Sequence, residues 1–247
     1  MQRYFINQEI LNTVEIMGSD FHHIKNVMRM KVGDKVYLSN NDSSFIAQID
    51  AILNDKVILK VLEKVNYDSE TPFKVTIAQG LVRREKKEEV IRRITELGAF
   101  SYIPVIMDRS IVKYNGDDKL ERGRTIIKEA CEQSHRNHLM ELNETISLKD
   151  LISKKDNYDL CLFAYEESGR SSNFKLKSYL KQFKNDNKET ILVVIGPEGG
   201  FSEKEVKTLL DSNFKAVGLG PRILRTETAP LYVMSAISYE LEFKEEE

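Results

Sequence analysis

Two cysteines in 247 residues, Cys131 and Cys161, form no Cys-x-x-Cys pair. That scarcity excludes a disulfide framework and a zinc ribbon. Long apolar runs are missing too. None approaches the roughly 20 residues that span a bilayer, so no membrane partner is expected. The first residues, Met1-Gln2-Arg3-Tyr4-Phe5-Ile6-Asn7, lack the apolar core of a signal peptide, and the expected location is the cytoplasm. Charge of one sign is not in excess. A net charge of −2 excludes a protein that coats nucleic acid through bulk charge, so an RNA partner would need local basic patches.

What is present is an ordinary globular composition, 41% hydrophobic and 31% charged, long enough to bury a substantial core in one large domain or two small ones. Residues 1 to about 66 read as short strands and turns. Lys35–Leu38, Phe45–Ile49 and Lys56–Leu62 are separated by turn clusters, an antiparallel pattern that suits a small barrel. A short helix is predicted near Asp20 to Met30, capped by Asp20, with Ile24, Val27 and Met28 at helical spacing. The polar stretch Asn66 to Pro72 reads as a domain linker, and Glu245–Glu247 as a frayed tail.

Beyond the linker, strands at 74–78, 102–107, 160–164, 190–195 and 216–219 alternate with helices at 85–97, 120–136, 202–210 and 228–243. Alternation of this kind means parallel βαβ units in an α/β domain. Val90, Ile91, Ile94 and Leu97 share one helix face with Gly98 as its C-cap. Ser202 with Glu205 fits a capping box.

Two glycine-bearing segments, each after a short apolar run and before a helical pattern, stand out. They are Ile195-Gly196-Pro197-Glu198-Gly199-Gly200-Phe201-Ser202 and Leu219-Gly220-Pro221-Arg222-Ile223-Leu224-Arg225-Thr226-Glu227-Thr228-Ala229. At the carboxyl ends of neighbouring strands, two such loops would wall one ligand site. Neither is a Walker loop, which needs Gly-Lys-Ser/Thr, and neither is the Gly-x-Gly-x-x-Gly of a dinucleotide site. By residue type alone the first loop is either a tight turn or a ligand loop. Arg222 and Arg225 suit a clamp for phosphate or an RNA backbone. Equally, the segment is a helix N-terminus with Thr226 as cap and Glu227 complementing the dipole.

Basic residues crowd two further stretches, His22, His23, Lys25, Arg29, Lys31 and Lys35, and then Arg83, Arg84, Lys86, Lys87, Arg92 and Arg93. They are solvated faces or RNA contacts. Cys131, His135 and His138 fall at i, i+4 and i+7 of a predicted helix, metal-ligand spacing in outline, but no fourth ligand is evident and no metal is expected.

The pair IGPEGGFSEKE and LGPRILRTETA resembles the signature of the RsmE family of 16S ribosomal RNA uridine methyltransferases, in the SPOUT class of S-adenosylmethionine-dependent enzymes. The likeness runs the length of the chain: MQRYF, His22-His23 through Asp34, Thr95-Glu96-Leu97-Gly98, Asp108-Arg109-Ser110, and Glu129 to Arg136. Arg93 stands where the family usually has lysine, and Met140 where it has proline.

The resemblance implies a PUA-like β-barrel over residues 1–68 and a SPOUT-type α/β domain over 72–243 with a C-terminal trefoil knot. It implies a homodimer acting on 16S rRNA of the small ribosomal subunit. Knots are nearly absent from proteins, so no periodicity reaches that expectation. The implied S-adenosylmethionine site comprises Phe163, Ala164, Gly196, Glu198, Gly200, Leu219, Gly220, Leu224 and Thr226. The implied reaction methylates N3 of a uridine, with Arg225 and then Arg3 as candidates to stabilise the uridine anion and Glu198 as candidate base. RNA contacts are expected from Arg3, His22, His23, Lys25, Arg29, Arg83, Arg136 and Arg222. The alternative is an RNA-binding ribosome-assembly factor of the same fold without catalysis.

Overall fold

The computed structural model describes residues 1–41, 43–66, 69–116, 120–165 and 175–243. The Glu245–Glu247 tail, and Tyr67 and Asp68 of the predicted linker, lie outside them. The chain divides into two compact units. The first holds Met1–Glu70 with Lys128–Leu139, the second Thr71–Ile127 with Met140–Glu247.

In the first unit, strands β1 (Arg3–Phe5), β2 (Thr13–Met17), β3 (Lys35–Ser39), β4 (Ser44–Ile52) and β5 (Lys56–Lys64) form one sheet in the order β1-β3-β4-β5-β2. β1 runs parallel to β3, with Arg3 opposite Tyr37, and the other pairs are antiparallel. β2 alternates exposed and buried residues, which sends Val14 and Ile16 into a core with Tyr4, Val36, Leu38 and Leu59.

The helix predicted at 20–30 is shorter and differently wound. α1 (Gly18–His22) passes into a π-helical turn, His23–Val27, and Arg29 enters the left-handed region at φ 52°, ending the helix before Met30. Asp20 makes no cap; its carboxylate pairs with Lys128 Nζ at 2.6 Å. Only Ile24 is buried, and Val27 and Met28 face solvent because the π turn breaks their spacing.

The second unit is a seven-stranded sheet of β6 (Lys74–Gly80), β7 (Ser101–Ile106), β8 (Glu141–Leu142), β9 (Ile146–Ser147), β10 (Leu160–Ala164), β11 (Thr190–Ile195) and β12 (Lys215–Val217). The order is β12-β10-β11-β6-β7-β8, with β9 also on β7, and every pairing is parallel. Continuous apolar runs such as Ile191–Ile195 are buried throughout, as parallel strands covered on both faces require. The expected alternation with helices is present: α2 (Arg84–Glu96), α3 (Leu120–Gln133, whose last residues from Lys128 belong to the first unit), α4 (Leu148–Ser153), α5 (Leu176–Asn185), α6 (Glu203–Asp211) and α7 (Thr228–Glu242). α4 and α5 were not foreseen. α2 buries Val90, Ile91 and Ile94 as its spacing predicts, and Gly98 takes φ 85° just past its end.

α3 stops at Gln133, not Arg136, because His135 adopts φ 57°. His135 and His138 therefore lie beyond the helix and share no helical face with Cys131. Among the described residues no group of three or more His, Cys, Asp or Glu is placed to hold a metal ion. No helix among them is long and apolar enough to cross a membrane.

Candidate active cleft

The glycine loop follows β11 and the arginine loop follows β12. These strands are not neighbours, since β10 lies between them. All three are parallel, so their carboxyl ends meet at one edge. There they surround a cavity of about 530 Å³, lined by Ala164 and Tyr165 after β10, Ile195–Phe201 after β11, and Leu219, Gly220, Arg222–Thr226 and Ala229 after β12, with Arg109 and Glu203. The position is that of ligand sites in α/β sheets.

Space rather than solubility explains two of the glycines. A Cβ on Gly80 would come within 2.5 Å of the Pro197 ring, and one on Gly199 within 2.8 Å of Arg109. Gly200 and Gly220 take φ 66° and 114°, where a side chain strains the backbone.

A buried path of hydrogen bonds ties the two loops together. The Tyr102 hydroxyl donates to Gln79 Oε1 at 2.9 Å. Gln79 Nε2 donates to the Thr226 carbonyl at 2.7 Å and to its Oγ1 at 3.0 Å, and Thr226 Oγ1 donates to the Gly196 carbonyl at 2.7 Å. Burial pushes the Tyr102 phenol up, so it stays a neutral donor. Thr226 is thus a link between loops, not the helix cap that its position suggests. The N-cap of α7 is Glu227, with no side-chain cap bond.

Charge is arranged on the other side of the loops. Lys86 Nζ on α2 lies 3.5 Å from Glu198 Oε1 and 3.1 Å from Glu227 Oε2. Both Glu198 oxygens are buried without a hydrogen-bond partner, so the 3.5 Å approach is an ion pair with no aligned donor. Burial raises the Glu227 carboxyl, yet its own backbone N–H, Lys86 and Arg225 outweigh that and hold it below the usual range. Arg225 itself is 85% exposed and stands 4.0 Å from Glu227.

The structure brings Ala164, Gly196, Glu198, Gly200, Leu219, Gly220, Leu224, Arg225, Thr226 and Arg222 to the cleft. Phe163 is fully buried, edge-on to Phe201 at 5.7 Å, and supports the loop from the core. Arg83 is exposed just before α2. His22, Lys25 and Arg29 are exposed in the first unit, while His23 bonds the Tyr4 hydroxyl at 3.0 Å. Arg3 and Arg136 are buried in that unit. Arg3 Nη1 donates to Ser44 Oγ at 2.8 Å and Asn137 Oδ1 at 2.7 Å, and Arg136 Nε meets Glu70 at 3.1 Å. Sequence reading missed Gln79, Tyr102 and Lys86 as parts of the site. A buried glutamine in an apolar strand was the available signal for the first.

Models of two families match the chain: an RNA methyltransferase domain over residues 69–238 and an RNA methyltransferase PUA domain over 16–62. Ribosomal RNA small subunit methyltransferase E of Bacillus subtilis is 41% identical, over 98% of this chain and 98% of the relative. The Synechocystis protein of that name is 32% identical over 95% and 76%. A crystal structure of the Neisseria gonorrhoeae protein of that name, bound to S-adenosyl methionine, superimposes with a TM-score of 0.85 at 26% identity, over 97% of both chains. With two thirds of its length under the first model and near full-length matches to these relatives, the chain belongs to the ribosomal RNA small subunit methyltransferase E family.

Proposed function

We propose that this chain transfers a methyl group from S-adenosylmethionine to N3 of a uridine in 16S ribosomal RNA. The expected domain at 72–243 holds the cofactor and the PUA-like domain expected at 1–68 binds RNA. The observation that carries the reading is the cleft: two glycine-bearing loops joined by one buried hydrogen-bond path at the carboxyl edge of a parallel sheet.

The residues fit the cofactor. The cavity falls within the roughly 300–1,000 Å³ usual for small-molecule sites. Glu198 presents buried carboxylate oxygens beside it, a complement to a positive sulfonium. Gly196, Gly200, Leu219, Gly220 and Leu224, with Ala164, offer backbone groups and apolar contact for its nucleoside. Bound there, S-adenosylmethionine supplies a methyl group on a positively charged sulfur. Uridine N3 carries a weakly acidic proton. Arg225, exposed at the cleft, is the candidate to stabilise the anion left by its loss, and Glu198 is the candidate acceptor of the proton. Arg3 has its Nη1 occupied in the first-unit core, which favours Arg225 of the two.

The same reading takes segment 219–226 as part of a trefoil knot. It takes the protein as a homodimer, which the exposed Tyr232, Tyr239 and Phe243 support, and as cytoplasmic, with its RNA substrate.

Calorimetry with S-adenosylmethionine, followed by mapping of methylated rRNA nucleotides in cells lacking the protein, tests this. Cofactor binding and loss of one methylated uridine are expected. An unchanged uridine overturns the assignment, and absence of cofactor binding favours the non-catalytic assembly factor. Arg225→Ala is expected to bind cofactor yet lose about 10²–10³-fold in turnover; near-normal turnover removes Arg225 from the chemistry.

A further inference from the structure

One arginine of the cleft comes from neither glycine-bearing loop. Arg109 lies in the turn after β7 and lines the cavity with Arg222 and Arg225. The turn that carries it is braced through the preceding residue and packs against the glycine loop. The Asp108 N–H donates to Glu205 Oε1 at 2.8 Å, and the Ser202 hydroxyl donates to Asp108 Oδ2 at 2.7 Å. Gly199 packs so closely that a Cβ there would come within 2.8 Å of both Arg109 Cβ and its carbonyl oxygen.

The guanidinium, by contrast, is exposed. Its polar contact among the described residues is the Gly199 carbonyl at 3.4 Å. Several surface arginines on this unit face carboxylates instead: Arg84 meets Glu88, and Arg93 meets Glu96. An arginine on a braced turn at the edge of a cleft, with no carboxylate partner among the described residues, is a preorganised anion site. Its planar fork matches phosphate oxygens. Of the three arginines at the cleft, Arg225 lies 4.0 Å from Glu227, whereas Arg109 and Arg222 have no ion pair among the described residues.

We propose that Arg109 binds a backbone phosphate of the substrate RNA beside the target nucleotide, and so sets the register in which the strand enters the cleft. This rests on the methyltransferase reading given above. A phosphate contact of this kind positions the strand without reading its sequence. The exposed guanidinium is open to a macromolecular phosphate, and the test below separates that from a contact with the carboxylate of the cofactor.

The test compares the full-length wild type with Arg109→Ala and Arg109→Lys. Calorimetry gives S-adenosylmethionine affinity. Methyl transfer to small ribosomal subunits lacking the modification gives KM and kcat across a salt series. For Arg109→Ala, cofactor affinity is expected to stay within about twofold, which also shows an intact cleft. KM for the subunit should rise about tenfold with kcat little changed, and the slope of log KM against log salt should fall by about 1. Arg109→Lys should recover the salt slope and only part of KM. An unchanged KM and slope in Arg109→Ala overturns the proposal. Weakened cofactor affinity also overturns it, since the arginine would then hold the cofactor. A wild type that neither binds cofactor nor methylates overturns the parent reading and this one together.

Discussion

Each unit contains a buried polar network, and the two are built oppositely. The first unit buries charge: Arg3 among Ser39, Ser44 and Asn137, and Arg136 against Glu70. The second joins its loops through neutral groups, Tyr102, Gln79 and Thr226, confines its buried charge to the carboxylates Glu198 and Glu205, and leaves Arg109, Arg222 and Arg225 in water at the cleft. Buried arginines are consumed by architecture, because an ion pair taken out of water must be complete. Neutral amides and hydroxyls hold backbone in place without fixing a charge near the ligand. Whether an arginine serves the fold or a ligand is thus decided by which kind of network surrounds it.

The sharpest way to break this contrast is Glu70→Ala. It removes the Glu70 carboxylate from the buried Arg136 guanidinium and should cost about 3–5 kcal/mol in urea unfolding. A loss below about 1 kcal/mol would show that water reaches Arg136. Gln79→Ala should cost less, about 1–3 kcal/mol, from the orphaned Tyr102 and Thr226 groups, but it should also weaken S-adenosylmethionine binding measured by calorimetry. Unchanged binding would mean that the loops hold their shape without the link.

The smallest effect expected concerns Glu132, whose carboxyl burial pushes up to about 7 although Lys128 opposes the rise. An acid that holds its proton in the folded state and loses it when unfolded makes stability fall as pH climbs. The window runs from the usual carboxylate range, about 4.3, to about 7. Glu132→Gln should flatten that decline. It should exceed the wild type by on the order of 1 kcal/mol at pH 8 and match it near pH 4 in thermal unfolding. An equal pH slope in both proteins would put Glu132 in ordinary solvent.

Local signals were legible and distant ones were not. The Ser202–Glu205 capping box is visible because its partners are three residues apart, and it forms as expected. The face of α2 could be read for the same reason. Gln79 and Thr226 are separated by 147 positions, and no pattern near either names the other. Val27 and Met28 misled because spacing assumes an α-helix and the chain makes a π turn. Arg3 and Arg225 look alike in sequence, and only folding buries the one and exposes the other. Likewise, spacing along the chain shows that loops follow strands but not that β10 comes to lie between β11 and β12.

Gly80 ends the central strand β6 directly under Pro197. Any side chain at 80 must displace the proline ring, and a shift of Pro197 moves the glycine loop that lines the cleft. The two positions are therefore bound to one another over generations. Drift at one is tolerated only with a matching change at the other, and relatives in which residue 80 has gained a side chain should also have remodelled the turn at 197.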